Sequence, residues 1–230
     1  GLIDPLVMVV ARDREIEVQE VQLSRAKNLY LRGRDIIMGA LDARYPGFLK
    51  RMKDKQYKEA LAPVKKEDAA LLYWGAAGWL GAYAIDPLDM KLGLTVPGAG
   101  AMMDRVLQLD ENFEKGTIHD FYVTYYGSMP EYMGGDANKA RFHFQKALEA
   151  TGGKSASPYL SLATTVCVNE QKAEEFKELL NKALAVDPDA DPNNRLVNVL
   201  NQRKAKWLLD HVDHFFLSEG SEPDKEDEEK

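Results

Sequence analysis

Apolar positions recur at helical spacing along nearly the whole chain, and the interruptions are punctuated by proline, glycine and aspartate. A first amphipathic run over about 15–43 stops at Tyr45–Pro46–Gly47, where proline disfavours helix in the residue before it and glycine permits the turn. A second, highly charged block from Leu49 to Leu61 reads as a short linking helix ending at Pro63. Glu67 to Ile85 is rich in Ala, Gly, Leu and aromatics and contains Gly75, Gly78 and Gly81. Each glycine costs roughly 1 kcal/mol relative to alanine in a helix, so this segment is a helix only if neighbouring helices press close on it. Val96–Pro97–Gly98 reads as a turn, and the next helix as 99–109. The aromatic-dense stretch from His119 to Tyr132 places Phe121, Tyr122, Tyr125 and Tyr126 on one stripe of a helix. Asp136 then reads as the N-cap of a helix through Leu148 that is closed by Thr151–Gly152–Gly153. Further helices are expected from Ser157–Pro158 to about Asn169, over 173–185, and from about Pro192 to Leu217. No segment alternates as a strand does, so the fold class is all-α.

The helices echo one another. A large apolar residue, a small one three places on, then Leu recurs as Ile37/Ala40/Leu41, Met103/Val106/Leu107, Phe144/Ala147/Leu148 and Leu180/Ala183/Leu184. Successive Leu markers are 66, 41 and 36 residues apart, and the last two spacings lie near the period of helix-turn-helix repeats. The small member is expected where a neighbouring helix crosses close to the backbone. The architecture read from these echoes is an α-α superhelix of about four degenerate tetratricopeptide-like pairs. One domain over 1–217 is followed by an acidic tail over 218–230. Such arrays are built for binding more than for chemistry.

Composition narrows the function. The tail carries a net −5 of the chain's −7, leaving the body near neutral and without a basic stripe for nucleic acid. That tail has no apolar anchor and reads as disordered. No apolar run approaches the roughly 20 residues of a membrane span. The single cysteine, Cys167, excludes an intrachain disulfide and a multi-cysteine metal cluster, and reads as an inert buried thiol.

Three sets of side chains could do something other than fold. Trp74, Phe121, Tyr122, Tyr125 and Tyr126 are either core rings or the wall of a passage for an amphipathic small molecule, with the two hydroxyls of Tyr125 and Tyr126 as polar handles. His119 and Asp120 have the chemistry of an acid/base pair but no nucleophile at motif spacing, which favours a structural role near a helix start. His211 and His214 lie three residues apart, the minimum for two imidazoles on one metal, yet no third ligand is evident. Neither a catalytic centre, a metal site nor a cofactor is expected.

An ordered series of segments points further. Leu29–Tyr30–Leu31–Arg32, Tyr45–Pro46–Gly47–Phe48, Leu72–Tyr73–Trp74, Gly116–Thr117–Ile118–His119–Asp120, Tyr125–Tyr126, Gly134–Gly135 and Lys139–Ala140–Arg141–Phe142–His143–Phe144 are followed by Ala183–Leu184, Arg195–Leu196–Val197–Asn198 and Gln202 to Leu209. Over residues 25–217 the whole resembles the T-component family of TRAP transporters, the tripartite ATP-independent periplasmic uptake systems. The resemblance implies a non-enzymatic periplasmic lipoprotein that forms a homotrimer and docks the solute-binding P-component. It also implies a channel in each protomer through which a small organic or hydrophobic solute passes, with His119 and the aromatic set as lining candidates. Arg32, Arg44, Arg195 and Arg203 match positions where the family favours arginine. They would hold helix ends and carboxylates together or face an anionic solute group. Two departures are visible: the N-terminal lipid-acceptor cysteine is absent from this chain, and the helical segment that family members carry ahead of Leu29–Tyr30–Leu31–Arg32 is largely absent, which would leave the first repeat incomplete. The alternative reading is a general scaffold that captures a peptide or protein partner on its repeats.

Overall fold

The computed structural model describes residues 16–129 and 131–217, so the acidic tail and the apolar stretch near residue 2 lie outside the described residues. Every regular element among them is helical. Two compact units are resolved, one ending at His119 and the other beginning at Asp120.

In the N-terminal unit α1 (Ile16–Arg44), α4 (Ala69–Ile85) and α6 (Val96–Leu109) carry the packing, joined by α2 (Phe48–Lys53), α3 (Tyr57–Leu61) and the one-turn α5 (Met90–Gly93). The three glycines of α4 do what the sequence demanded of them. A Cβ on Gly75 would stand 3.0 Å from Ile37 of α1 and 3.1 Å from Met102 of α6. One on Gly78 would stand 3.1 Å from the backbone oxygen of Tyr30, and one on Gly81 would stand 3.0 Å from the Tyr30 ring. The intrinsic cost of these glycines is therefore offset by a close helix crossing. Leu41, Phe48, Leu72, Met102, Met103 and Val106 fill the core on either side.

The linking block differs from its expected form. It is two short helices, because Lys55 adopts the left-handed conformation (φ 59°) and its N–H closes back on the carbonyl of Met52. Pro97 and Gly98 belong to the first turn of α6 and do not precede it, since proline suits a helix's first positions, where its missing N–H has no partner to lose.

The C-terminal unit is a series of helices packed on their neighbours in sequence. It runs from α7 (Phe113–Ser128), in which the unit boundary falls, through α8 (Ala137–Thr151), α9 (Ser157–Leu162), a π-turn (Ala163–Cys167), α10 (Ala173–Ala185) and α11 (Arg195–Asp210). Asp136 caps α8 by accepting from the Lys139 N–H at 3.0 Å, and Gly152 and Gly153 close it in left-handed geometry, as the sequence predicts. Three of the four repeat marks have their small member fully buried, at Val106, Ala147 and Ala183. Ala40 is exposed, because α1 receives its close neighbour on the Ile37 side, where the small residue is Gly75 on the other helix. The core gathers Phe144, Leu160, Phe176, Leu180, Ala205 and Leu208. The last helix ends at Asp210, seven residues short of the expected Leu217. The chain then bends so that Phe215 and Phe216 both meet the ring of Phe176, at 5.9 and 5.0 Å between centroids.

A polar seam runs through this unit. Ser157, Ser161, Thr165 and Asn169 recur every fourth residue. The Ser157 hydroxyl donates to Asp120 (2.5 Å), and Ser161 is a second donor to the same carboxyl. A Cβ on Gly127 would stand 2.4 Å from the Thr165 hydroxyl, and Asn169 Nδ2 donates to the Gly127 carbonyl at 2.7 Å. In a regular α-helix a four-residue spacing drifts by about 40° per step, roughly 120° over three steps. The π-turn, with its wider i→i+5 closure, takes out much of that drift and keeps the row on one side.

Candidate functional site

The aromatic stripe on α7 is real, and it is joined by a residue that sequence reasoning missed. Glu114, Lys115 and Gly116 are all left-handed, so regular right-handed helix starts at Thr117, whose hydroxyl donates to the Glu114 carbonyl at 2.8 Å. From there Phe121, Tyr122, Tyr125 and Tyr126 stand four residues apart in two rows, with Phe121 stacked on Tyr125 at 5.8 Å and Tyr122 on Tyr126 at 5.6 Å. The imidazole of His143 on α8 stacks against both tyrosines of the second row, 4.8 Å from Tyr122 and 5.8 Å from Tyr126. Phe142 meets His143 edge-on, and Lys139 sits over the Tyr126 ring at 5.2 Å. Tyr122 and His143 are buried, Phe121, Tyr125 and Tyr126 are half-buried, and Phe142 is exposed. The cluster therefore grades from core to surface. It offers faces and edges of aromatic rings with the Lys139 ammonium at one side, a surface suited to binding apolar or aromatic groups. The only sequence signal for His143 is its place in the Phe142–His143–Phe144 echo, which reads equally well as packing.

The other candidates separate from this cluster. Trp74 belongs to the N-terminal unit, is 53% exposed and meets Tyr73 edge-on. His119 is 2% exposed, and its neighbour Asp120 is held in the seam by the two serines. Burial pushes the Asp120 carboxyl above its ordinary range, against the pull of the hydroxyls, and its Oδ1 is shielded without a hydrogen-bond partner among the described residues. His211 stacks on Trp207 at 4.3 Å, and its Nδ1 lies 2.8 Å from the Trp207 carbonyl. It closes the end of α11, while His214 falls in a separate 3₁₀ turn. No cluster of three or more His, Cys, Asp or Glu capable of holding a metal occurs among the described residues.

The four arginines divide. Arg44 pairs with the buried Asp68, to which the Tyr45 hydroxyl also donates at 2.7 Å, tying the end of α1 to the start of α4. Arg195 pairs with Asp189 at 2.5 Å. Arg32 and Arg203 are exposed. The best-built charge cluster lies elsewhere: Arg141 reaches Glu175 at 2.5 and 2.9 Å and Glu170 at 2.9 Å, with Lys172 on Glu170 at 2.8 Å. Arg141 holds the Glu175 carboxyl below its usual range, and Lys172, then Arg141, do the same for Glu170. Cys167 is buried beside this cluster, and burial together with the Glu175 charge pushes its thiol up to about 12, so it is unreactive at neutral pH. The cluster borders a cleft of about 450 Å³ whose floor is Phe144, Leu148 and Leu162. Its charged walls are internally paired, Glu178 with Lys182 included.

No helix among the described residues is long and apolar enough to cross a membrane. The chain is 32% identical over 206 residues to an uncharacterised protein of Treponema pallidum (strain Nichols), an alignment that covers 88% of this chain and 64% of that protein. It thus spans a little under two thirds of that relative's length. The profile of the TRAP transporter T-component family matches residues 7–216, which takes in both units and every side chain described above. A chain whose described residues are all-α and which is matched over residues 7–216 in this way belongs to the TRAP transporter T-component family.

Proposed function

We propose that the protein acts by binding, as the T-component that docks the periplasmic solute-binding P-component of a TRAP system and passes a small organic solute. The observation that carries this reading is the family match over residues 7–216. In this reading the precursor is a periplasmic lipoprotein, the working form is a homotrimer of tetratricopeptide-like arrays, and no step is catalytic. The solute meets the ring surface of Phe121, Tyr125, Tyr126 and Phe142, where flat faces allow weak, exchangeable contacts with an apolar body. Tyr122, buried against Phe121 and Tyr126, backs these rings in this proposal, and the exposed Arg203 of the same unit is available to an anionic group.

Light scattering on the protein alone, then with the solute-binding P-component of a TRAP system from the same organism, tests the reading. A trimer that gains one partner per protomer is the expected result. A monomer that ignores that protein would transfer the function to a peptide-binding scaffold. A Tyr125→Ala/Tyr126→Ala variant that keeps its fold and assembly should lose solute handling; normal handling would remove those rings from the passage.

A further inference from the structure

We infer that one side of the N-terminal unit lies on a membrane surface containing anionic phospholipid, through its own side chains and without a lipid anchor. The apolar part of that side is the connection between α4 and α6. Leu88 is 86% exposed, Met90 74% and Leu94 64%, three large side chains within seven residues. They project from a segment that is firmly held. Lys27 of α1 grips both Asp86 and Asp89 at 2.8 Å, Asp89 caps the Leu92 N–H at 2.9 Å, and the Leu92 side chain is buried. Thr95 closes the far end, accepting from Trp79 Nε1 at 2.9 Å and donating to the Leu92 carbonyl at 2.6 Å. A turn fixed in this way keeps three apolar side chains in water, and their removal from water is favourable.

Charge decides what covers the turn. Residues 50–58 hold five cations, Lys50, Arg51, Lys53, Lys55 and Lys58, against the single acid Asp54, in a chain whose net charge is −7. This basic block meets the apolar turn, because Leu49, Lys53 and Lys55 border the same cleft as Leu94. Asp54, Asp86 and Asp89 are each taken by a lysine. Lys53, Lys55, Lys58 and Lys91 are exposed and have no ion-pair partner among the described residues, with Glu59 as the opposing charge on α3. Unpaired lysines around exposed leucines match anionic headgroups above hydrocarbon. The ammonium groups stay at headgroup level while the leucines and the lysine stems enter the apolar layer. A protein partner matches less well, since lysine is depleted where protein surfaces meet.

Co-sedimentation of the chain with lipid vesicles tests the inference. Binding is expected to vesicles of phosphatidylcholine carrying about 30% phosphatidylglycerol and not to pure phosphatidylcholine, with release at about 0.5 M salt. Leu88→Ser/Met90→Ser/Leu94→Ser changes only exposed side chains and should weaken binding about tenfold or more. Lys53→Gln/Lys55→Asn/Lys58→Gln should weaken it by about the same factor. That variant should melt no lower than the parent, since Lys55 is left-handed (φ 59°), a conformation asparagine adopts more easily. Leu196→Ser/Leu200→Ser removes exposed leucines from the other unit and should leave binding unchanged. Equal binding to uncharged vesicles, no binding at about 1 mM lipid, a Leu88/Met90/Leu94 variant that binds like the parent, or a comparable loss in the Leu196/Leu200 variant would each overturn the inference. Vesicles ignored, together with a fall in assembly mass on substitution of Leu88, Met90 and Leu94, would give the turn to a second copy of this chain. All of these failures leave the transporter reading untouched, because that reading stands on the P-component and not on this surface.

Discussion

At the scale of single residues, buried polar side chains carry more of the structure than the candidate list suggested. Asn198 is fully buried, and its amide bridges a loop: Oδ1 accepts from the Ala156 N–H at 2.9 Å and Nδ2 donates to the Lys154 carbonyl at 2.9 Å. Asn198→Leu strands both backbone groups, and chemical denaturation should register a loss of roughly 2–4 kcal/mol. Gln202 does similar work at the end of α10, donating toward the carbonyls of Leu184 (3.1 Å) and Val186 (2.6 Å). Both residues stand in segments that mark the family, yet their tasks were not legible there, because each partner lies at least 16 residues away. His143 was missed for the same reason: its stacking partners sit on another helix. The caps at Asp136 and at Gly152–Gly153 were legible, since their chemistry is contained within a few consecutive residues.

At the scale of elements, helix existence could be read and helix interruption could not. Periodicity locates the long helices, although it overruns the last one by seven residues, and Lys55, Glu114 and Lys115 turn left-handed with no glycine or asparagine to announce it. Only Gly116 carried a signal at the second site. Lys115→Gly should raise stability by about 1 kcal/mol in thermal unfolding, by relieving a conformation that costs a residue with a Cβ about that much. Glycines at crossings act in the opposite sense. At Gly127 an added Cβ would stand 2.4 Å from the Thr165 hydroxyl and 2.9 Å from Val166 Cγ2, so α7 and the π-turn would have to part. Gly127→Ala is expected to cost roughly 2–3 kcal/mol. Gly78→Ala, facing a backbone oxygen at 3.1 Å, should cost less, as its gain in helix propensity recovers about 1 kcal/mol.

At the scale of the whole molecule, the dependence of stability on pH is set by groups working in opposite directions. The Asp120 carboxyl is raised by burial, so the folded state holds its proton more tightly than the unfolded chain does. Its contribution is favourable at low pH and is lost as pH rises from about 3.9, the unfolded value, through its folded value. Asp120→Asn should therefore raise the melting temperature at pH 7, with the gain vanishing below about pH 4. Glu170 and Glu175 are lowered, so their contribution is present above about 4.3 and is lost as pH falls through their folded values. Arg141→Met should remove that acid-side loss and cost roughly 1–2 kcal/mol at neutral pH, allowing for solvent screening of half-exposed groups. Parallel melts of the parent and both variants between pH 3 and pH 8 would separate the two contributions. The all-α class was legible from composition and period alone, whereas this balance depends on which carboxylates the packing buries and which it pairs.

The π-turn of residues 163–167 also bears on how this chain can be edited or aligned. A π-turn is geometrically an α-helix with one residue too many. Deleting one position there would yield a smoother helix and a better local hydrogen-bond ladder, yet it would swing Asn169 by about 100° away from the Gly127 carbonyl that it now holds. The regular backbone is thus the defective version, and a gap placed in this segment when related sequences are matched marks a lost seam and not a harmless trim.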